Sequence, residues 1–135
     1  MASFKGNNLY IHGSELKTGI LLTNLGTPDE PTAPSLKTYL RQFLSDGRVI
    51  ETPKAIWWLI LNGIILNIRP SKSAKNYQSV WTDEGSPLLL HTQKQKELIQ
   101  NFLDKKYSNL VFDIGMRYGN PSIEKGLNNL RNQNC

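Results

Sequence analysis

Apolar positions along the chain fall into short segments whose period changes from one to the next. Gly19 to Thr23 (GILLT) is a continuous apolar run closed by the turn-rich cluster Asn24-Leu25-Gly26-Thr27-Pro28. That pattern predicts a buried strand whose C-terminal end opens into a loop. From Leu36 onward the spacing becomes helical, with Leu36, Tyr39, Leu40, Phe43 and Leu44 on one stripe. Thr32 and Pro34 suit the start of this helix, and Asp46-Gly47 its stop.

The middle of the chain is less regular. Ile50 to Pro53 reads as a short extended piece and leads into Ala55 to Ile68 (AIWWLILNGIILNI), the longest apolar stretch. Arg69-Pro70 is expected to end that segment. Ser71 or Ser73 then caps a short helix with Ala74, Tyr77, Val80 and Trp81 on its apolar side, and Thr82 to Pro87 forms a loop. A helix is predicted from about His91 to Lys106, with Leu98, Ile99, Phe102 and Leu103 inward and Lys105 and Lys106 favouring its C-terminal end. Leu110 to Met116 (LVFDIGM) reads as a second strand. Asn120-Pro121 is the expected cap and first turn of a last helix carrying Ile123, Leu127 and Leu130.

Strands separated by crossover helices imply an α/β fold with a Rossmann-like parallel sheet and flanking helices. The order also leaves an expectation of incompleteness. Sheets typically have about 4–6 strands, and at least three are needed for independent stability. Two strands with an apolar edge read as part of a larger protein.

Composition narrows this picture only slightly. The 135 residues fit one domain, read as 16–135 after a polar leader over 1–15. Lys and Arg number 16 against 11 acidic residues, giving +5, but they are scattered and never form a run. The charge alone therefore chooses no partner. The single cysteine, Cys135, excludes an internal disulfide framework and fits a reducing, cytoplasmic setting. A membrane-spanning helix needs about 20 mostly apolar residues. The 55–68 stretch is shorter and is broken by Asn62, Gly63 and Asn67.

In open parallel sheets ligands bind beyond the carboxyl ends of the strands. Two loops meet that rule, Asn24 to Pro28 and Arg117 to Pro121, and adjacent parallel strands would bring them to one rim. Leu25-Gly26-Thr27 has too few glycines for a dinucleotide fingerprint and no following Lys for a phosphate loop, so by spacing alone Gly26 reads first as a simple turn residue. Arg117 offers a fork for a carboxylate and Tyr118 a flat face with a hydroxyl, yet Arg117 is also readable as a surface residue paired with Asp113 or Glu124. Trp57 and Trp58 cannot both face one core from a helix, because neighbouring positions point about 100° apart. Part of the 55–68 surface is thus expected to be exposed, as a membrane contact or a pocket wall. His12 and His91 are isolated and read as capping or solvent residues. No triad, metal cluster or carboxylate pair can be assembled.

Four motifs in order carry a resemblance. NLGTP (24–28), YLRQFLSDGRVIETP (39–53), RPSKSAKNYQSVWTDEGSPL (69–88) and GMRYGNPSI (115–123) closely resemble the amino-terminal half of ferrochelatases, over about Leu16 to Arg131. The resemblance implies the class II chelatase fold, of which this chain covers one of two similar α/β domains, incompletely. It implies insertion of Fe²⁺ into protoporphyrin IX to form protohaem, the terminal step of haem biosynthesis. By position, Leu25 matches a site-lining residue that is Met or Tyr in some members, while Tyr77 and Ser86 match pocket residues that reach a propionate or the ring edge. Arg117 and Tyr118 match a pair on the cleft rim. Trp57, Trp58, Ile60 and Leu61 match an apolar lip that in many members approaches the membrane.

The same resemblance implies no tightly bound cofactor, with Fe²⁺ as substrate and porphyrin, not nucleic acid, as partner. It places a His of an FSxHG-type motif and a partner Glu, which serve the metal and proton steps, in the half this chain does not match. No catalytic or metal-binding residue is therefore expected here. The chain alone is expected to be inactive, a non-catalytic porphyrin-binding or membrane-peripheral module being the alternative. Leu25 and the WTDEGSP loop resemble the protoporphyrin-type members more than the coproporphyrin type.

Overall fold

The apolar run GILLT forms a strand because its β-favouring residues have a partner of the same kind in LVFDIGM. The computed structural model describes Gly13 and residues 17–135; the rest of the 1–15 leader, His12 included, lies outside the described residues. Strand β1 (Thr18–Thr27) lies parallel to β2 (Leu110–Gly119), in register from Thr18 opposite Leu110 to Thr27 opposite Gly119. Between them run α1 (Ala33–Leu44), α2 (Lys54–Ile60), a π-helical turn (Leu61–Ile65), α3 (Leu66–Val80) and α4 (Pro87–Leu103). After β2 comes α5 (Ile123–Asn132). This is the expected α/β architecture, with a two-stranded parallel sheet among the described residues.

Helices cover both faces of the sheet. Leu21 and Asn24 are an odd number of residues apart on β1 and so point to opposite sides. On the Leu21 side lies α5. A Cβ on Gly126 would come within 2.5 Å of Leu21 Cδ1 and 2.7 Å of the Ile114 carbonyl, so this helix crosses the sheet at a distance only Gly allows. On the Asn24 side lies α4, where Asn24 Nδ2 donates to Thr92 Oγ1 at 3.0 Å. Leu36, Leu66, Met116 and Pro28 are the largest fully buried side chains. Leu66 also belongs to a hydrophobic cluster with Leu44 and Leu61, against which Phe43, Ile50 and Trp57 pack.

Both strands run further than their apolar cores. Leu25-Gly26-Thr27 and Arg117-Tyr118-Gly119 were expected in loops but belong to the ladder. Gly26 makes this extension feasible. Its φ is 107°, and a Cβ there would lie 1.8 Å from the Tyr118 carbonyl oxygen. The polar letters of NLGT therefore conceal a strand end that needs a Gly for backbone contact.

Arg69-Pro70 does not end a helix. The chain stays helical from α2 through the π-turn into α3, with Pro70 inside it. At the π-turn the Leu66 N–H bonds back to the Leu61 carbonyl, skipping that of Asn62. The Asn67 amide then donates to the Asn62 and Gly63 carbonyls, each at 3.0 Å. The two Asn and the Gly that looked like interruptions are what the wider turn uses.

Three other boundaries move. Helix α4 begins at Pro87 rather than near His91 and ends at Leu103. Its Leu98, Ile99 and Phe102, expected inward, are exposed, and Thr92 is its buried residue. Helical spacing shows which residues share a face; it does not show that a described element covers them. Helix α5 is capped by Ser122, whose Oγ accepts from the Lys125 N–H at 3.1 Å, not by Asn120. Its Leu127 is exposed as well, while Gly126 and Leu130 are buried.

Candidate functional site

The carboxyl ends of β1 and β2 meet on one rim, since Thr27 sits opposite Gly119. Beside the end of β1 is a cavity of about 250 Å³ lined by Gly26, Thr27, Tyr77, Val80, Trp81, Ser86, Pro87 and Leu88. Thr27 comes from the last position of β1 and Tyr77 from the C-terminal part of α3. Ser86 is the residue before α4, where the Thr82–Gly85 turn delivers it: Thr82 and Gly85 exchange backbone hydrogen bonds at 3.1 and 3.0 Å. The Tyr77 ring leans on Trp81 with centroids 6.3 Å apart. Burial pushes the Tyr77 phenol pKa up, keeping it a neutral donor. Thr27 and Ser86 are both buried, and Thr27 Oγ1 has no hydrogen-bond partner.

On the neighbouring side of the rim, Asp46 gathers three donors. Its Oδ2 accepts from the Arg117 guanidinium and, at 3.1 Å, from the Tyr118 hydroxyl; its Oδ1 accepts from the Arg48 N–H at 2.9 Å. These bonds, the Arg48 N–H first and Arg117 next, hold the Asp46 pKa down at about 2. Such a carboxylate is a poor proton acceptor near neutral pH. Its chemical role here is to hold cationic and phenolic groups in place.

Arg117 and Tyr118 alternate across the strand and so are not an outward pair. Arg117 is exposed, its Cζ 5.5 Å from the Tyr118 ring centroid. Tyr118 is buried, its ring edge-on to Phe43 at 5.1 Å, and only its hydroxyl reaches Asp46. The expected flat face is thus packed into the interior. Neither Asp113 nor Glu124 is the partner of Arg117. Asp113 accepts instead from the Asn129 amide at 2.9 Å.

A second hollow, about 340 Å³, joins Asp46 to the apolar segment through Ile50, Trp57, Trp58 and Leu61. The two tryptophans divide as their spacing requires. Trp57 is half-buried and its Nε1 donates to the Leu44 carbonyl at 2.7 Å, while Trp58 is 63% exposed. Leu61, expected on the lip, is core at 3% exposure, and Ile60 is partly buried. The outward apolar residues are Ile56, Trp58, Leu59, Ile64 and Ile68. Leu25 stands on β1 with 49% of its surface exposed, outside the cavity.

Tyr77 and Ser86 thus share one cavity, and Arg117 and Tyr118 share one carboxylate. Sequence reasoning missed Asp46, whose place before Gly47 read only as a helix stop. It also missed Thr27, and of the outward apolar residues it named Trp58 but not Ile56, Leu59, Ile64 or Ile68. Among the described residues no three His, Cys, Asp or Glu side chains form a metal-holding group, and no helix is long and apolar enough to cross a membrane.

The ferrochelatase family model matches residues 17–135. The chain belongs to the ferrochelatase family. It is 60% identical over 123 residues to the ferrochelatase of Chromobacterium violaceum, covering 90% of this chain and 34% of that protein. The ferrochelatase of Dechloromonas aromatica is 57% identical over 120 residues, 89% of this chain and 33% of the relative. That of Aromatoleum aromaticum is 48% identical over 136 residues, taking in the whole of this chain and 37% of the relative. The chain thus spans about a third of the length of the ferrochelatase relatives it matches. Its α/β layering and parallel strands fit the chelatase fold.

Proposed function

We propose that this chain forms one wall of the porphyrin cleft of a ferrochelatase, an enzyme of the lyase type that inserts Fe²⁺ into protoporphyrin IX to yield protohaem. The observation that carries this reading is the convergence of Tyr77 and Ser86 on one small cavity beside the end of β1, in a chain of this family. A porphyrin is a flat apolar disc with two acidic arms. It suits apolar walls with a few placed donors, here hydroxyls, with the Arg117 guanidinium further along the rim.

Metal insertion needs a base for the pyrrole protons and a distorted ring. Asp46 is held ionised by three donors and does not fill the role of base. The reading therefore gives this chain binding and orientation of the macrocycle, with iron as substrate, no tightly bound cofactor and no proton-transfer step of its own. The purified 135-residue chain is expected to bind protoporphyrin in a spectral titration while inserting neither iron nor zinc. Metal insertion by this chain alone, or absence of any porphyrin binding, would overturn the reading.

The exposed row Ile56, Trp58, Leu59, Ile64 and Ile68 favours a second element, a peripheral contact with a membrane face by a protein resident in the cytoplasm. Flotation with lipid vesicles should retain the wild-type chain and release Trp58→Ser plus Leu59→Ser. Equal flotation of both would sink the membrane contact.

A further inference from the structure

Thr27 is 3% exposed, yet its hydroxyl oxygen bonds to nothing in the protein. Burying a hydroxyl without a partner forfeits its hydration for no return, whereas Val has nearly the same shape and no such cost. A threonine at this position therefore makes physical sense if its partner arrives with a ligand. The cavity it lines supplies the context. Tyr77 and Ser86 line the same space, and neither hydroxyl bonds to a described residue. No Lys or Arg lines the cavity, so its polar chemistry consists of hydroxyls set among apolar walls.

We propose that Thr27 is a third hydroxyl of the acid-binding cavity, donating a hydrogen bond to a carboxylate of the bound porphyrin beside Tyr77 and Ser86. This rests on the functional reading above and adds to it a residue that discriminates an acidic macrocycle from an esterified one. Three neutral donors suit a carboxylate: its two oxygens offer about four lone-pair sites and no proton. The Thr27 oxygen is covered in the unliganded chain. Contact with the acid therefore requires side chains of the cavity wall to be displaced on binding.

The test compares the full chain with Thr27→Val and Thr27→Ser, titrated with protoporphyrin IX and with its dimethyl ester, together with a thermal melt of each protein. Thr27→Val is expected to melt at the same or a higher temperature while binding the diacid roughly ten-fold more weakly, the loss of one hydrogen bond to a charged group. Its affinity for the ester should be unchanged, and Thr27→Ser should recover the diacid affinity. A Thr27→Val protein that keeps its diacid affinity overturns the proposal, as does equal weakening for both porphyrins or a lowered melting temperature, which would mark a structural hydroxyl. A wild-type chain that binds neither porphyrin overturns the functional reading itself and this proposal with it. That outcome is distinct from a binding wild type that Thr27→Val does not alter.

Discussion

The carboxylate of Asp46, just past the end of α1, accepts a hydrogen bond from the guanidinium of Arg117 on β2, 71 positions later in the chain. The same oxygen takes the Tyr118 hydroxyl at 3.1 Å, so one acidic group fixes two consecutive residues that face opposite sides of the strand. The contact ties the first crossover to the strand it leads towards. It also means that Arg117 meets any acidic ligand as a partly committed fork rather than as a free charge.

The pH dependence follows from that contact. The folded pKa of Asp46 is about 2, below its ordinary 3.8, so its stabilising effect is fully present above about pH 4 and is lost as pH falls from there towards 2. Asp46→Asn removes this acid limb. Thermal melts between pH 7 and pH 2 are expected to show the variant less stable than wild type at neutral pH and the two curves converging in acid. Parallel curves would exclude Asp46 as the group responsible.

Tyr39 supplies the opposite limb. Burial first, then the neighbouring Tyr77 and Tyr118, push its pKa up to about 12, and its hydroxyl donates to the Gly26 carbonyl at 3.2 Å. The folded state holds this proton more tightly than the unfolded state. Stability is therefore retained below pH 10 and lost as pH rises from about 10 towards 12. Tyr39→Phe should cost about 1 kcal/mol at neutral pH, the worth of one hydrogen bond, and flatten the alkaline limb. Melts at pH 8, 10 and 11 check both effects.

Gly26 fixes how closely the two strand ends approach. With φ at 107° and a virtual Cβ 1.8 Å from the Tyr118 carbonyl oxygen, Gly26→Ala is expected to cost about 2–4 kcal/mol and to disturb the cavity beside it. Gly63 is the matched control. Nothing lies within 4 Å of a Cβ there, and Gly63→Ala in this helical stretch should stabilise by about 0.5–1 kcal/mol. Denaturant titration of both variants decides; equal effects would contradict the close approach at Gly26.

How far these features were legible in the sequence depended on whether they are local. The strand and α1 stripes, the parallel order and the split of Trp57 from Trp58 follow from periodicity, a property of neighbouring letters. The role of Asp46 does not, because its partners Arg117 and Tyr118 are remote and the sequence offers several acidic residues to pair with them. The NLGT and RYG strand ends were hidden for a related reason. Only the opposing backbone shows that Gly26 and Gly119 sit in a ladder rather than in turns. The π-turn defeated the boundary at Arg69-Pro70, since its Asn and Gly residues have the composition of a break and the geometry of a continuation.

The indole pair separates fold from surface. Trp57→Phe keeps the ring in the Leu44–Leu61 cluster but loses the bond from Nε1 to the Leu44 carbonyl, 2.7 Å long, and should cost about 1 kcal/mol. Trp58→Ser, at a 63% exposed position, should change stability by less than about 0.5 kcal/mol. Urea titration of each variant measures this, and a larger loss from Trp58→Ser would place that ring in a packed interior.

The outer face of α4 gives the last expectation. Phe102 is 72% exposed, with Leu98 and Ile99 exposed on the same helix one turn earlier, while the buried Thr92 holds the helix to β1 through Asn24. Folding of the described residues gains little from burying Phe102, so Phe102→Ser should leave the midpoint of unfolding within about 0.5 kcal/mol of wild type. Removing a large exposed aromatic should at the same time raise the concentration at which the chain self-associates. Urea titration paired with light scattering across a concentration series tests both parts, and a loss of several kcal/mol would mean that Phe102 packs against the fold after all.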